Sequence, residues 1–144
     1  MSFREKSAWV CLISTLVVFV PYFLMVAIID MAGALKMGAI VGLLVAAIFV
    51  QGAIAAAAMI AVAIHSGADN ADERDRAVDL LSFRNGYFVL SVSLVSAICA
   101  MVFAPPAWAA HLTVPLASQV FFGCFVVAEV VKYATQVVCY RRGF

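Results

Sequence analysis

Glu129, Lys132 and Gln136 are the residues of this 144-residue chain whose types and spacing point most directly to chemistry. Offsets of three and seven put all three on one face of a helix, in a run that is otherwise apolar. Glu129 lies twelve positions before Arg141, about 18 Å of helix, which places its carboxylate near the middle of a hydrocarbon core about 30 Å thick. Gln51 falls at comparable depth in another apolar run. Charged groups at such depth are costly and turn inward toward partners, so these four residues are expected to form an internal polar seam. One chemistry open to them is a proton or cation path with Glu129 as the titrating carboxylate. The other is structural: a neutralised Glu129–Lys132 pair, with Lys132 snorkelling to the interface and Gln51 joining helices two and four.

Other chemistries find less support. His65 and His111 fall at opposite ends of the membrane, so they do not jointly hold a haem or metal ion. Cys11, Cys99, Cys124 and Cys139 all lie in apolar runs without a C-x-x-C pair, and read as small hydrophobes, not redox or metal-carrying thiols. Asp30 reads as a solvated turn residue, and the serines, histidines and aspartates do not converge in depth as a nucleophilic triad would require. The chain is expected to be non-enzymatic, with no cofactor and no metal site.

The elements that position these residues follow from composition. The chain is 67% hydrophobic and 12% charged, with a mean hydropathy of +1.12, where soluble proteins carry roughly a quarter charged residues. Four apolar runs, at about 8–29, 38–64, 71–103 and 115–139, are each long enough to cross a bilayer and occupy nearly all of the sequence. The expected fold is therefore all-α, a single transmembrane domain over 1–144 built as a four-helix bundle. The first run is too long for a signal-peptide core and is expected to remain as a membrane helix. A near-neutral net charge of +1 argues against a nucleic-acid partner; the lipid bilayer, a second copy of the chain and a cytoplasmic protein are the partners to consider.

Between the second and third runs stands Asp69 to Arg84, D-N-A-D-E-R-D-R-A-V-D-L-L-S-F-R, with eight of the seventeen charged residues. Asn70 followed by Glu73 fits a capping box, and Asp72, Glu73 and Asp75 suit a first helical turn. Arg74 belongs to the same charged segment. Arg76 stands at three- and four-residue spacing from Asp72, Glu73 and Asp79, which predicts exposed pairs of a few tenths of a kcal/mol each. This helix is expected to run on into the third apolar segment, either extended into water or bent near Gly86. Pro21 predicts a kink in the first helix. Gly38, Gly42 and Ala46 form a small-xxx-small stripe, predicting that helix two packs at the bundle centre or at a subunit contact.

Arg4, Lys6, Arg74, Arg76, Arg84, Arg141 and Arg142 fall on one side, and Lys36 alone on the other. The excess of cations puts both termini and the central charged segment in the cytoplasm. The stretches D-E-R-D-R-A-V-D and R-x-G-Y-F-V-L, the ending A-E-V-V-K-Y-A-T-Q-V-V-C-Y-R-R-G and the opening M-S-F-R-E-K-S-A-W resemble a group of small bacterial four-helix membrane proteins of unknown function. The resemblance implies a multi-pass protein of the bacterial inner membrane, with the D-E-R-D segment and Glu129 and Lys132 as its hallmark residues. Together these readings favour a non-enzymatic interaction or regulatory membrane protein with a charged cytoplasmic helix. The alternative is a small oligomeric transporter or channel using Glu129.

Overall fold

The computed structural model describes residues 3–33, 36–66, 72–109, 111 and 113–142. Four long helices carry almost all of them: α1 (Phe3–Met31), α2 (Met37–Ser66), α3 (Glu73–Val102) and, after the four-residue helix α4 (Pro106–Ala109), α5 (Val114–Arg142). In hydrocarbon every backbone N–H and C=O must be satisfied within the segment, and an apolar chain of this length meets that requirement by continuous helix. All four long helices are long and apolar enough to cross a membrane; the chain is an all-α, multi-pass membrane protein with a four-helix bundle. Both α1 and α5 exceed their expected bounds by several residues because their charged ends continue as helix.

The stops have local causes. α1 ends where Gly33 adopts a φ of +65°, a left-handed conformation that glycine reaches without a Cβ penalty, and the Gly33 N–H closes onto the Asp30 carbonyl at 2.8 Å. α3 stops before Pro105 and Pro106, and Pro106 occupies the first position of α4, where a missing N–H costs nothing. Thr113 starts α5, its hydroxyl accepting from the Leu116 N–H at 3.4 Å. α1 runs unbroken through Pro21, which faces outward.

The main contacts run in the order α2, α1, α5, α3. α1 buries Ala8, Thr15, Phe19, Tyr22 and Val26, a repeat of threes, fours and sevens that makes one helical face. Phe19, Tyr22, Phe23 and Phe122 meet edge-on or tilted, with ring centroids 5.1–6.4 Å apart, an arrangement that favours aromatic rings over stacking face to face. α3 presents Val78, Ser82 and Gly86 to α5. A Cβ on Gly86 would stand 3.2 Å from the Ala128 carbonyl oxygen and from the Lys132 Cβ, so Gly86 lets the two helices approach closely, and α3 continues through it as unbroken helix.

Of the two places expected for α2, the bundle centre does not hold, while a subunit contact is compatible with the exposed stripe. α2 rests chiefly on α1, through Ile40 and Ala47, and is peripheral, not central. Gly38, Gly42 and Ala46 are exposed, and a Cβ at either glycine would meet nothing within 4 Å. Because α2 is apolar on every side, its small residues could not reveal which face is packed.

Candidate functional site

Three antiparallel helix contacts bring the polar residues together, at what we call the charged end, where Phe3, Glu73 and Arg142 lie. Asp72 caps α3: its side chain accepts from the Glu73 N–H at 2.7 Å, while Asp75 accepts from the Asp72 N–H at 3.2 Å. The capping box is thus Asp72 with Asp75. The expected partner Asn70 lies outside the described residues, and Glu73 is the first helical residue instead of the closing member of the box. Both pairings have the right spacing in D-N-A-D-E-R-D, and Asp72 wins because its side chain meets the first free N–H of the helix.

Asp75 and Asp79 are one turn apart on α3, and both turn inward. Arg4 on α1 reaches both carboxylates, with Nε 3.1 Å from Asp75 and Nη1 3.4 Å from Asp79. From α5, the Tyr140 hydroxyl donates to Asp75 at 3.1 Å, and the Gln136 amide donates to Asp79 at 3.1 Å and to Ser82 at 3.3 Å. Asp79 therefore pairs with Arg4 and not with Arg76 as its spacing suggested. This knot ties the first turn of α1, the first turns of α3 and the last turns of α5 to one level, so α3 does not project alone. The Arg141 guanidinium stacks 5.3 Å over the Trp9 ring and adds a second tie between α5 and α1. Arg4→Ala should lower thermal stability in detergent by about 1 kcal/mol, the upper range for partly exposed pairs. The difference from wild type should shrink at high salt, since such pairs are screened.

The Glu129–Lys132 pair forms as expected, with Nζ 2.6 Å from the carboxylate. Lys132 is the better enclosed partner, 13% exposed against 31% for Glu129. Its ammonium also lies 5.0 Å from the Phe83 ring and 4.5 Å from the Tyr133 ring, both favourable to a cation. Two open spaces border Glu129. One, of about 170 Å³, lies toward Phe83, Gly86 and Tyr87 of α3. The other, of about 390 Å³, lies between α2 and α5 over α1 and is lined by Gln51, Thr15, Phe19 and Tyr133 among others.

The predicted seam divides. Gln51 does not join α5: its amide donates to Ser14 at 3.1 Å and Thr15 at 3.3 Å, on the helix against which α2 packs. Those hydroxyls donate in turn to the Cys11 carbonyl, which leaves their oxygens free to accept. Gln136 belongs to the Arg4 knot. The contact of Gly86 with Lys132 also revises the depth of the pair. Arg84, exposed on α3, lies two residues before Gly86, about 3 Å along the helix. Glu129 and Lys132 therefore stand at the inner edge of a polar band that begins at the charged end, nearer that end than the distance to Arg141 alone implied.

No family model, curated protein or solved structure matches this chain. Among the described residues, no group of three or more histidine, cysteine or acidic side chains could hold a metal ion. His65 closes onto the Ala61 carbonyl of its own helix at 2.9 Å, and His111 lies at the opposite end beside Trp108. Arg4, Ser82 and Tyr140 are the site residues that the sequence reading missed. The four-residue spacing of Val78, Ser82 and Gly86, small residues on one face of a charged helix, was the signal for that contact.

Proposed function

We propose that this chain is a non-enzymatic interaction protein of the bacterial inner membrane, which presents the charged segment of α3 to a cytoplasmic partner. The observation that supports this reading is the contrast between the two sides of that segment. Behind, Asp75 and Asp79 are held by Arg4, Gln136 and Tyr140. In front, Glu73, Arg76, Leu80, Arg84 and Tyr87 are exposed at spacings of three and four, which makes one stripe of mixed charge and apolar bulk. Leu80 and Tyr87 are each 73% exposed. A rigid helix face of this kind suits a helical partner, because little ordering entropy remains to be lost on docking.

Seven of the nine cations lie toward the charged end, which supports a cytoplasmic location for both termini. Reporter fusions after Gly143 and within 105–111 are expected to report opposite sides. A photoreactive residue at Leu80 should yield a discrete protein adduct in cells, and the same residue at Trp108 should not. Lipid adducts alone at Leu80 would count against docking.

One observation favours transport as a second reading: Glu129 and Gln51 border the same open space of about 390 Å³. Against it stands the 2.6 Å contact that occupies Glu129 with Lys132.

A further inference from the structure

One cleft in the bundle gathers polar groups from three helices. α1 packs on both α2 and α5, which flank it, and together they bound the space of about 390 Å³ lined by Thr15, Phe19, Ile48, Gln51, Phe122 and Glu129, among others. Small-molecule sites usually measure about 300–1,000 Å³. Toward the charged end, Thr15 lies four residues beyond Phe19 on α1, Gln51 three beyond Ile48 on α2, and Glu129 seven beyond Phe122 on α5. The cleft is therefore polar at that end and apolar at the other.

The hydrogen-bonding capacity left at the polar end belongs to acceptors. The Thr15 hydroxyl donates to the Cys11 carbonyl at 2.7 Å and accepts from the Gln51 amide at 3.3 Å, and the Tyr133 hydroxyl is engaged with Glu129 and Cys11. Lys132 stands on the far side of the Glu129 carboxylate, beside Phe83. A carboxylate has about four acceptor positions, so Glu129 keeps capacity on the cleft side. The Gln51 carbonyl oxygen is buried and accepts from no group among the described residues, a costly condition for a polar atom. The terminal torsion of a glutamine is soft, and a turn of the amide brings this oxygen to the cleft with α2 unmoved.

These acceptors select the occupant. An ammonium would find the Glu129 charge already balanced by Lys132 and would lose its hydration for little gain. A phosphodiester, ester or ketone has no hydrogen to donate, and a bare acyl chain leaves the Gln51 oxygen unpaired. What fits is a neutral hydroxyl on an apolar body. Phe19, Phe122, Phe125 and Tyr133 all line the cleft, and aromatic rings gain from edge-on aromatic partners, which favours a hydroxyl carried on a ring. We propose that this cleft binds a neutral lipophilic phenol, whose hydroxyl donates to the Gln51 carbonyl oxygen and whose apolar body lies along Phe19, Ile48 and Phe122. The site is separate from the exposed face of α3 and requires no flux through Glu129, so it stands or falls independently of both readings above.

Photolabelling of the full chain in detergent tests this, using a 4-alkylphenol with a diazirine in its alkyl chain and, as competitors, 4-octylphenol and its methyl ether, 4-octylanisole. Adducts should concentrate on the segments of α2 and α5 that line the cleft. The phenol should compete about tenfold better than the ether, the ratio that ~1.4 kcal/mol gives, and 1-dodecanol should rank between them. Gln51→Leu, checked for retained helicity, should bring phenol and ether together. Ala55 also lines the cleft, and Ala55→Phe, which narrows it and leaves the Gln51 side chain in place, should abolish labelling there even if Gln51→Leu fails to fold. Equal competition by phenol and ether in the wild type would overturn the proposal and leave a groove for acyl chains. Unchanged labelling in Ala55→Phe would overturn it as well, and so would dodecylammonium competing better than the phenol, which would indicate a cation site at Glu129.

Discussion

Glu129→Gln is expected to lower the stability of the protein in detergent by on the order of 3 kcal/mol, and Glu129→Gln combined with Lys132→Met to restore most of the loss. With Glu129 neutral, the Lys132 ammonium is left 13% exposed between α3 and α5, and the carboxylate formerly 2.6 Å away no longer balances it. Breaking a buried pair from one side costs about 3–5 kcal/mol, while replacing both partners by apolar groups is often neutral. The lower figure applies because the Phe83 and Tyr133 rings, 5.0 and 4.5 Å away, continue to stabilise the cation. Thermal unfolding of the two variants measures the difference. Equal destabilisation by the single and double changes, together with Glu129-dependent proton flux in liposomes, would rank transport above docking.

The second large effect is expected at Gly86. A Cβ there already stands 3.2 Å from the Ala128 carbonyl and from the Lys132 Cβ, both atoms fixed by the α5 backbone. Gly86→Ala requires a shift of a few tenths of an ångström. Gly86→Leu must separate α3 from α5, which is the most extensive helix contact in the molecule. Overpacking of this kind costs typically 1–3 kcal/mol, and here it also draws the Gln136 donor from Asp79 and Ser82. The leucine variant should therefore lose at least about 2 kcal/mol, with the alanine variant well above it in stability. Gly42→Leu is the control: a Cβ at Gly42 has no neighbour within 4 Å, and the change should be near neutral. If Gly42→Leu destabilises as much as Gly86→Leu, a further helix covers that face of α2.

The number and extent of the four long helices were legible because hydropathy and length act locally along the chain, whereas the four-residue α4 lies where only a turn was expected. The neighbours were not. α2 carries apolar or small residues all round, so no face declares itself, and its peripheral place on α1 follows only from the assembled bundle. Gln51 illustrates the point. It borders the same open space as Glu129, but its partners are set by the helix on which α2 packs, and its amide bonds the Ser14 and Thr15 hydroxyls of α1. In the charged segment, local rules predicted pairs within α3, whereas Asp75 and Asp79 are claimed by residues 57 to 75 positions away in sequence. Exposed neighbours on one helix gain only a few tenths of a kcal/mol from pairing, too little to hold side chains that a partly enclosed arginine, tyrosine and glutamine can engage together. The Glu129–Lys132 pair was legible because both partners are on one helix at a fixed spacing.

Hydrogen exchange over residues 73–84 tests the central claim, that the charged segment of α3 is a helix clamped from behind. Amides of this segment should exchange as slowly as those of the transmembrane part of α3, and Arg4→Ala should selectively speed them while leaving residues 90–100 protected. Rapid exchange of 73–84 in the wild type, at the rate of an unfolded peptide, would contradict the clamp and with it the docking surface.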